Sequence, residues 1–120
     1  YRELFNLNST AEKLADPVTR PKIVRFIRAI LDASAEIRRD PAQAKALVTE
    51  AGGFDPQDVE DSWKHHGWLA AIPDDLLDVL VKQEQWLAAR SERPARSREE
   101  LAKLIDTSVY EEALALPPAN

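Results

Sequence analysis

At 120 residues, with a formal charge of -5 and no cysteine, the chain fits one domain or part of a larger one. The acidic balance argues against nucleic acid as a partner, and the lack of cysteine removes disulfides, thiolate metal sites and cysteine nucleophiles together. Apolar residues at 44% and charged residues at 31% describe a globular chain, and three glycines against eight prolines disfavour an all-β fold with many tight turns.

No apolar run approaches the roughly 18–20 residues that span a bilayer, and no signal peptide is visible. A sequence that opens on Tyr1 and contains no methionine is expected to belong to a longer translated protein.

Along the chain the pattern predicts an all-α fold of six or seven helices with short connections. Residues 1–8 show no helical period, and Leu4, Phe5 and Leu7 are compatible with a short strand ending at Asn8. Ser9 with Glu12 has the spacing of a capping box, and Pro17 ends that first helix near Asp16. Thr19 is then suited to cap a long helix with Pro21 in its first turn. Ile23, Phe26, Ile27, Ile30, Leu31, Ser34 and Ile37 recur at steps of three and four as one stripe, with Lys22, Arg25, Arg28, Asp32 and Arg39 off it.

Asp40-Pro41 stops this helix and starts the next, with Gln43 at the capping-box position. Ala42, Ala46, Leu47 and Ala51 form its shallow face, and Gly52-Gly53 supply the C-terminal stop. Asp55-Pro56 repeats the device, with Val59 and Trp63 facing inward as far as Gly67. Trp68 to Ile72 read as a buried connector. Pro73 is placed to open a fifth helix whose stripe is Leu76, Val79, Leu80, Gln83, Trp86 and Leu87. Leu77 and Val81 widen that stripe. Ser91 to Arg96 read as a loop. Ser97 with Glu100 begins a short helix carrying Leu101, Leu104 and Ile105, and Ser108 with Glu111 begins a last one carrying Val109, Ala113 and Leu114. Residues 9–116 thus form the helical region and residues 117–120 a frayed tail.

Chemistry-bearing residues are few. His65 and His66 point about 100° apart on a helix and cannot chelate one ion together. Asp61 and His65 share a face, but two ligands make a weak metal site. Asp74 and Asp78 are explained by the positive end of a helix. Arg90, Arg93, Arg96 and Arg98 are interleaved with Glu92, Glu99 and Glu100, as in a solvated loop. Trp63 and Trp86 fall on stripes expected to be core, whereas Trp68 has no periodic partner and suits a contact with other protein. No serine has a convincingly spaced base, and there is no glycine-rich phosphate loop. The sequence therefore predicts no catalytic residue, no metal site and no cofactor.

The order of these strings resembles the C-terminal part of bacterial solute-binding proteins for ABC importers, of the nitrate, sulfonate and taurine type related to thiamine-precursor binding proteins. The carrying residues are the long helix from Ile23 to Arg39, then Asp40-Pro41-Ala42-Gln43-Ala44, similar to that family's Asn-Pro-Glu-Glu-Ala string. Gly53-Phe54-Asp55-Pro56-Gln57-Asp58-Val59 resembles its Gly-Leu-Asp-Pro-Glu-x-Val segment. Next come the helix ending in Trp86-Leu87 and Leu104-Ile105-Asp106-Thr107-Ser108-Val109, similar to its Leu-Val-Asp-x-Ser string.

The resemblance spans residues 5 to 115. It implies a fragment of a two-lobe α/β binding protein, with residues 1–8 as a hinge-crossing strand. It also implies delivery of a small anionic solute to an ABC permease, and a periplasmic or cell-envelope location. Asn8, Ser9 and Thr10, where that strand would give way to a helix N-terminus, are then the candidate ligand-binding residues; the plainer reading is a capping box alone. The reading kept beside this one is a free-standing helical interaction or dimerisation module. Either way, apolar helix faces left uncovered are expected to drive homo-oligomerisation.

Overall fold

The computed structural model describes residues 2–118. Tyr1 and the last two residues of the predicted tail, Ala119 and Asn120, lie outside the described residues. Among them the fold is all-α: α1 (Ala11–Ala15), α2 (Thr19–Arg39), α3 (Pro41–Gly52), α4 (Pro56–Trp63), α5 (Leu76–Arg90), α6 (Arg98–Ala102) and α7 (Ser108–Ala115). The strand expected near Leu4, Phe5 and Leu7 does not form. Residues 2–10 carry no regular structure, because no second strand exists among the described residues to take up the ladder hydrogen bonds of an edge.

Proline and aspartate set the helix starts. Asp40 caps α3 by accepting from the Gln43 amide at 3.0 Å, and Asp55 caps α4 by accepting from the Gln57 amide at 2.7 Å. In both cases proline takes the first helical position, where its missing N–H is not needed. Gly53 ends α3 at φ +63°, the left-handed conformation that glycine adopts without penalty. Gly52 must also lack a side chain, since a Cβ there would lie 2.1 Å from the Phe54 ring.

Other starts are shifted from the sequence reading. Thr10, not Ser9, caps α1 by accepting from the Lys13 amide at 3.2 Å; either hydroxyl can do this, so residue type does not separate them. Thr19 is the first residue of α2, and its amide is satisfied by Asp16 Oδ2 at 2.7 Å. Pro73 does not open α5. It closes a turn onto Leu76 (3.0 Å), and the side chain of Asp75 makes no cap because it pairs with Arg2. At α7, Thr107 takes the cap position and Ser108 is already helical. α4 stops at Trp63, four residues short of Gly67.

The helix α2, about 30 Å long at 1.5 Å per residue, is the spine. It packs against α1, α3 and α7; α3 packs on α4, and α5 chiefly on α6. The core is a seam of Val24, Val109 and Ala113 with Leu14, Ile23, Ile27 and Leu31 around it. The buried line on α2 therefore runs through Val24, to one side of the predicted stripe, and Phe26 is left 59% exposed.

Arg28 does not face solvent as its off-stripe position suggested. It pairs with Asp32 and points at the carbonyls of Ala113 and Leu116, each at 3.5 Å. On α3 the buried residue is Ala44, whereas Ala42, Ala46 and Leu47 are exposed. The stretch Trp68–Ile72 is only half-buried, with Leu69 exposed. Ser34 of α2 pins it, donating to the Trp68 carbonyl at 2.6 Å and accepting from the Ala70 amide at 2.8 Å.

The molecule is open for its size. Its radius of gyration is 17.2 Å, against roughly 13–14 Å for a compact 120-residue domain. Its accessible surface is 9282 Å², about 2,800 Å² above the roughly 6,500 Å² usual for this mass. Among the described residues no large side chain is fully buried.

Substitutions should sort by position on the seam. Ala113, with no exposure, leaves no room, so Ala113→Leu should cost about 1–3 kcal/mol by overpacking. Arg28→Ala should cost about 1 kcal/mol or more by leaving Asp32 and the α7 carbonyls without their donor. Lys22→Gln, on the exposed side of α2, should stay within about 0.5 kcal/mol. Urea denaturation of the three variants checks the order.

Candidate functional site

Asn8, Ser9 and Thr10 are all exposed and lie where the irregular N-terminal stretch meets α1. Thr10 Oγ1 is engaged as the α1 cap. The helix behind it has five residues, too few for aligned peptide dipoles to sum to a strong positive end. The three residues form no enclosed cleft, and what they offer is one edge of a site whose other walls would have to come from elsewhere.

The histidines do not converge. His66 Nδ1 lies 2.9 Å from the Ser62 carbonyl; a carbonyl only accepts, so Nδ1 carries the proton. His65 is exposed in the turn after α4. Asp78 pairs with Arg98 at 2.6 Å, which occupies one member of the Asp74/Asp78 pair. Among the described residues no group of three or more His, Asp or Glu could hold a metal ion. Among the same residues no helix is long and apolar enough to cross a membrane.

The structure brings together two clusters that the pattern of residue types did not assemble. In the first, Trp68 stacks on Trp63 with ring centroids 4.2 Å apart, so it has an intramolecular partner. Lys45 Nζ lies 5.6 Å from the Trp63 centroid, and the His66 ring lies 5.5 Å from that of Trp68. The stack borders a recess of about 320 Å³ shared with Phe54 and Val48. Trp68 Nε1 is buried with no hydrogen-bond partner, a cost of about 1–3 kcal/mol.

The second cluster centres on Glu84, buried at 6% exposure in the middle of α5. Its carboxylate accepts from Arg93 Nη1 at 2.6 Å, Arg93 Nη2 at 2.9 Å and the Arg96 backbone amide at 2.9 Å. The Arg96 guanidinium stands 3.7 Å away. A buried carboxylate is tolerated only with such pairing. The Arg93 hydrogen bonds, then that of the Arg96 amide, pull its pKa down to about 2 against a desolvation that opposes them.

Arg93 reaches back because Glu92 adopts φ +49° and the Arg93 amide bonds the Ala88 carbonyl at 3.1 Å. The loop from Ser91 to Arg96, read as solvated, is thus tied to α5. The Ser97–Glu100 capping box then starts α6 as predicted. Turning Glu84 inward also settles the face of α5. Glu84 and Ala88 are buried, with Leu77 and Val81 half-buried on the same side of the helix, and the C-terminal half of the predicted stripe stays open, with Trp86 62% and Leu87 49% exposed.

These clusters are built to hold helices in place. Beside the first, Asp58, Ser62 and His66 line the recess, and the Ser62 hydroxyl donates to the Val59 carbonyl at 3.2 Å. No family model matches this chain, and neither a curated protein nor a solved structure matches it.

The Glu84 cluster predicts an acid limb in stability. The pKa of Glu84 is lowered from 4.5 to about 2. Its contribution is therefore fully present above the unfolded value and is lost as pH falls through the folded one. Thermal melts between pH 5 and pH 2 should show a steeper loss for the native chain than for Glu84→Gln. Near neutral pH the variant should be the less stable of the two.

Proposed function

We propose that the chain is the non-catalytic C-terminal part of a solute-binding protein that hands a small anion to an ABC permease in the periplasm or cell envelope. The observation that carries this is the open architecture. About 2,800 Å² of surface beyond the usual amount for this mass is spread over an α2-centred body and an α5–α6 arm. That is more than one side of an ordinary protein–protein interface, about 800 Å². It suits a segment that lies along a much larger body, such as the sheets of two α/β lobes.

The helix order supports the same reading. A long spine is followed by Asp-Pro starts at Asp40 and Asp55, by a helix ending near Trp86-Leu87, and by a last helix after Asp106. In this reading Asn8, Ser9 and Thr10 give one edge of the solute cleft, and the upstream lobes give the rest.

The other reading, a free-standing helical interaction module, is favoured by one feature. α7 returns to α2 and closes a small core of its own.

Calorimetry separates the two. The 120 residues alone should bind nitrate or sulfonates no better than millimolar. The whole polypeptide to which they belong should bind one of these far more tightly, and Asn8→Ala should weaken that binding only modestly. Micromolar affinity in the 120-residue chain, or a gene with no α/β region upstream, would overturn the binding-protein reading.

A further inference from the structure

The uncovered end of the α5 stripe has a defined chemistry. Lys82, Trp86 and Arg90 stand at i, i+4 and i+8, which places them in one line along the helix. The Arg90 guanidinium lies 4.8 Å from the Trp86 ring centroid, close enough for a cation–π contact. Among the described residues neither Lys82 nor Arg90 has an acidic partner. The line is therefore an exposed indole between two unpaired cations, with Leu87 beside it.

A surface of opposite chemistry lies on the other side of the fold's packing scheme. Between α3 and α4 runs an open groove of about 820 Å³ bordered by Ala42, Lys45, Ala46, Thr49, Glu50 and Glu60, in which Lys45 donates to both carboxylate oxygens of Glu60 at 2.8 and 2.7 Å and Glu50 is the acid left over. Ala42, Ala46 and Glu50 repeat the i, i+4, i+8 spacing, so small side chains form a floor with a carboxylate at its end. Glu50 has no ion-pair partner among the described residues, and Glu60 is 60% exposed beside Lys45. Since α5 packs chiefly on α6, the stripe does not fill the groove of its own chain.

We propose that two copies of the 120-residue chain associate by this stripe and this groove, each copy's Trp86 seated on the Ala42–Ala46 floor of the other. Charge complementarity favours a second copy as the occupant. Residues 76–105, which hold the arm, carry six Lys/Arg against five Asp/Glu, and the rest of the chain carries ten against sixteen. The arm is near neutral, with Lys82 and Arg90 on the stripe and Arg93, Arg96 and Arg98 beside Glu84 and Asp78, and the rest of the chain is acidic. In the proposed pair each copy gives one stripe and one groove, and a two-fold axis relates the two contacts. The association concerns this chain by itself and does not rest on the binding-protein reading, which stands or falls on solute affinity.

Sedimentation velocity and light scattering over a micromolar to high-micromolar series test it. The expected mass is twice 13.5 kDa, weakening as salt is added. Trp86→Ala, at an exposed site that the fold does not need, should raise the dissociation constant at least about tenfold. Circular dichroism checks that it stays helical.

Two charge-reversed chains make the decisive pair. Lys82→Glu with Arg90→Glu gives an acidic stripe facing an acidic groove, and Glu50→Lys with Glu60→Lys gives a basic groove facing a basic stripe. Each should be monomeric alone, and an equimolar mixture should recover the dimer, because both contacts in the mixed pair are then complementary. A monomer at every concentration overturns the proposal. So does a dimer that Trp86→Ala leaves intact, or a mixture that fails to associate.

Discussion

The return of α7 onto α2 is the contact on which the rest of the structure depends. It joins residues about ninety positions apart, and without it the two ends of the helical region have no common core. Its apolar part is small: Val24, Val109 and Ala113, with partial cover from Leu14 and three side chains of α2. Its polar part is correspondingly strong. Arg20 donates to Glu112 Oε1 at 3.0 Å, to Ser108 Oγ at 2.9 Å and to the Leu14 carbonyl at 3.0 Å, so one guanidinium holds α1, α2 and α7. Arg28 does the same at the far end of α7. The planar fork of arginine makes several such bonds at once, which a lysine cannot. The bond to Glu112 also raises the Arg20 pKa, so the clamp keeps its charge throughout the working range of pH.

A second centre holds what the seam does not reach. The α5–α6 arm is joined to the body mainly through the Ser34 hydroxyl on the connector and the Arg2–Asp75 pair. Inside the arm, Glu84 takes the place that a large apolar residue would hold in a fuller core. Its hydrogen bonds are directional, so they fix the turn at Glu92 and the approach of Arg93 and Arg96 more narrowly than apolar contact would. The consequence is an arm that is ordered within itself yet covered on one side only.

How much of this was legible follows from the range of each interaction. Helix number, the Asp-Pro starts, the Gly53 stop and the Ser97–Glu100 box rest on contacts within four residues, and residue type decides them. The buried faces do not. On α2 and α5 the apolar arcs span more of the helix than one neighbour covers, so periodicity gives the arc and the neighbour chooses the part. Val24 lay outside the predicted stripe because α7 approaches from its side. Glu84 was invisible as a core residue because its burial depends on a left-handed Glu92, and glutamate carries no signal for that conformation. The strand near Leu4 to Leu7 failed for another reason of range: a strand needs a partner, and periodicity along one chain does not supply it. For the candidate site, residue type located Asn8, Ser9 and Thr10 next to a helix start. Only the geometry showed how short that helix is.

The open surface bears on function through the kind of cover it requires. Here the deepest polar burial, at Glu84, is filled by arginines that neutralise it. The recess beside the stacked indoles is also lined by Asp58, Ser62 and His66, and the α3–α4 groove by Lys45, Glu50 and Glu60. What the chain does possess is helical surface of mixed sign, with an aromatic line set between cations on one element and a small-residue trough set beside carboxylates on another. Such surfaces gain their energy when water leaves both sides together. A larger body laid over the spine and arm meets that condition, and so does a second copy across a two-fold axis. The two demand different things of α5. A broad apolar sheet would take up Trp86 and Leu87 but leave Lys82 and Arg90 needing acids at its rim, whereas the α3–α4 trough offers a small-residue floor and the Glu50 carboxylate at one spacing. The charge on this one helix line is therefore the feature that separates a wrapped segment from a self-associating one.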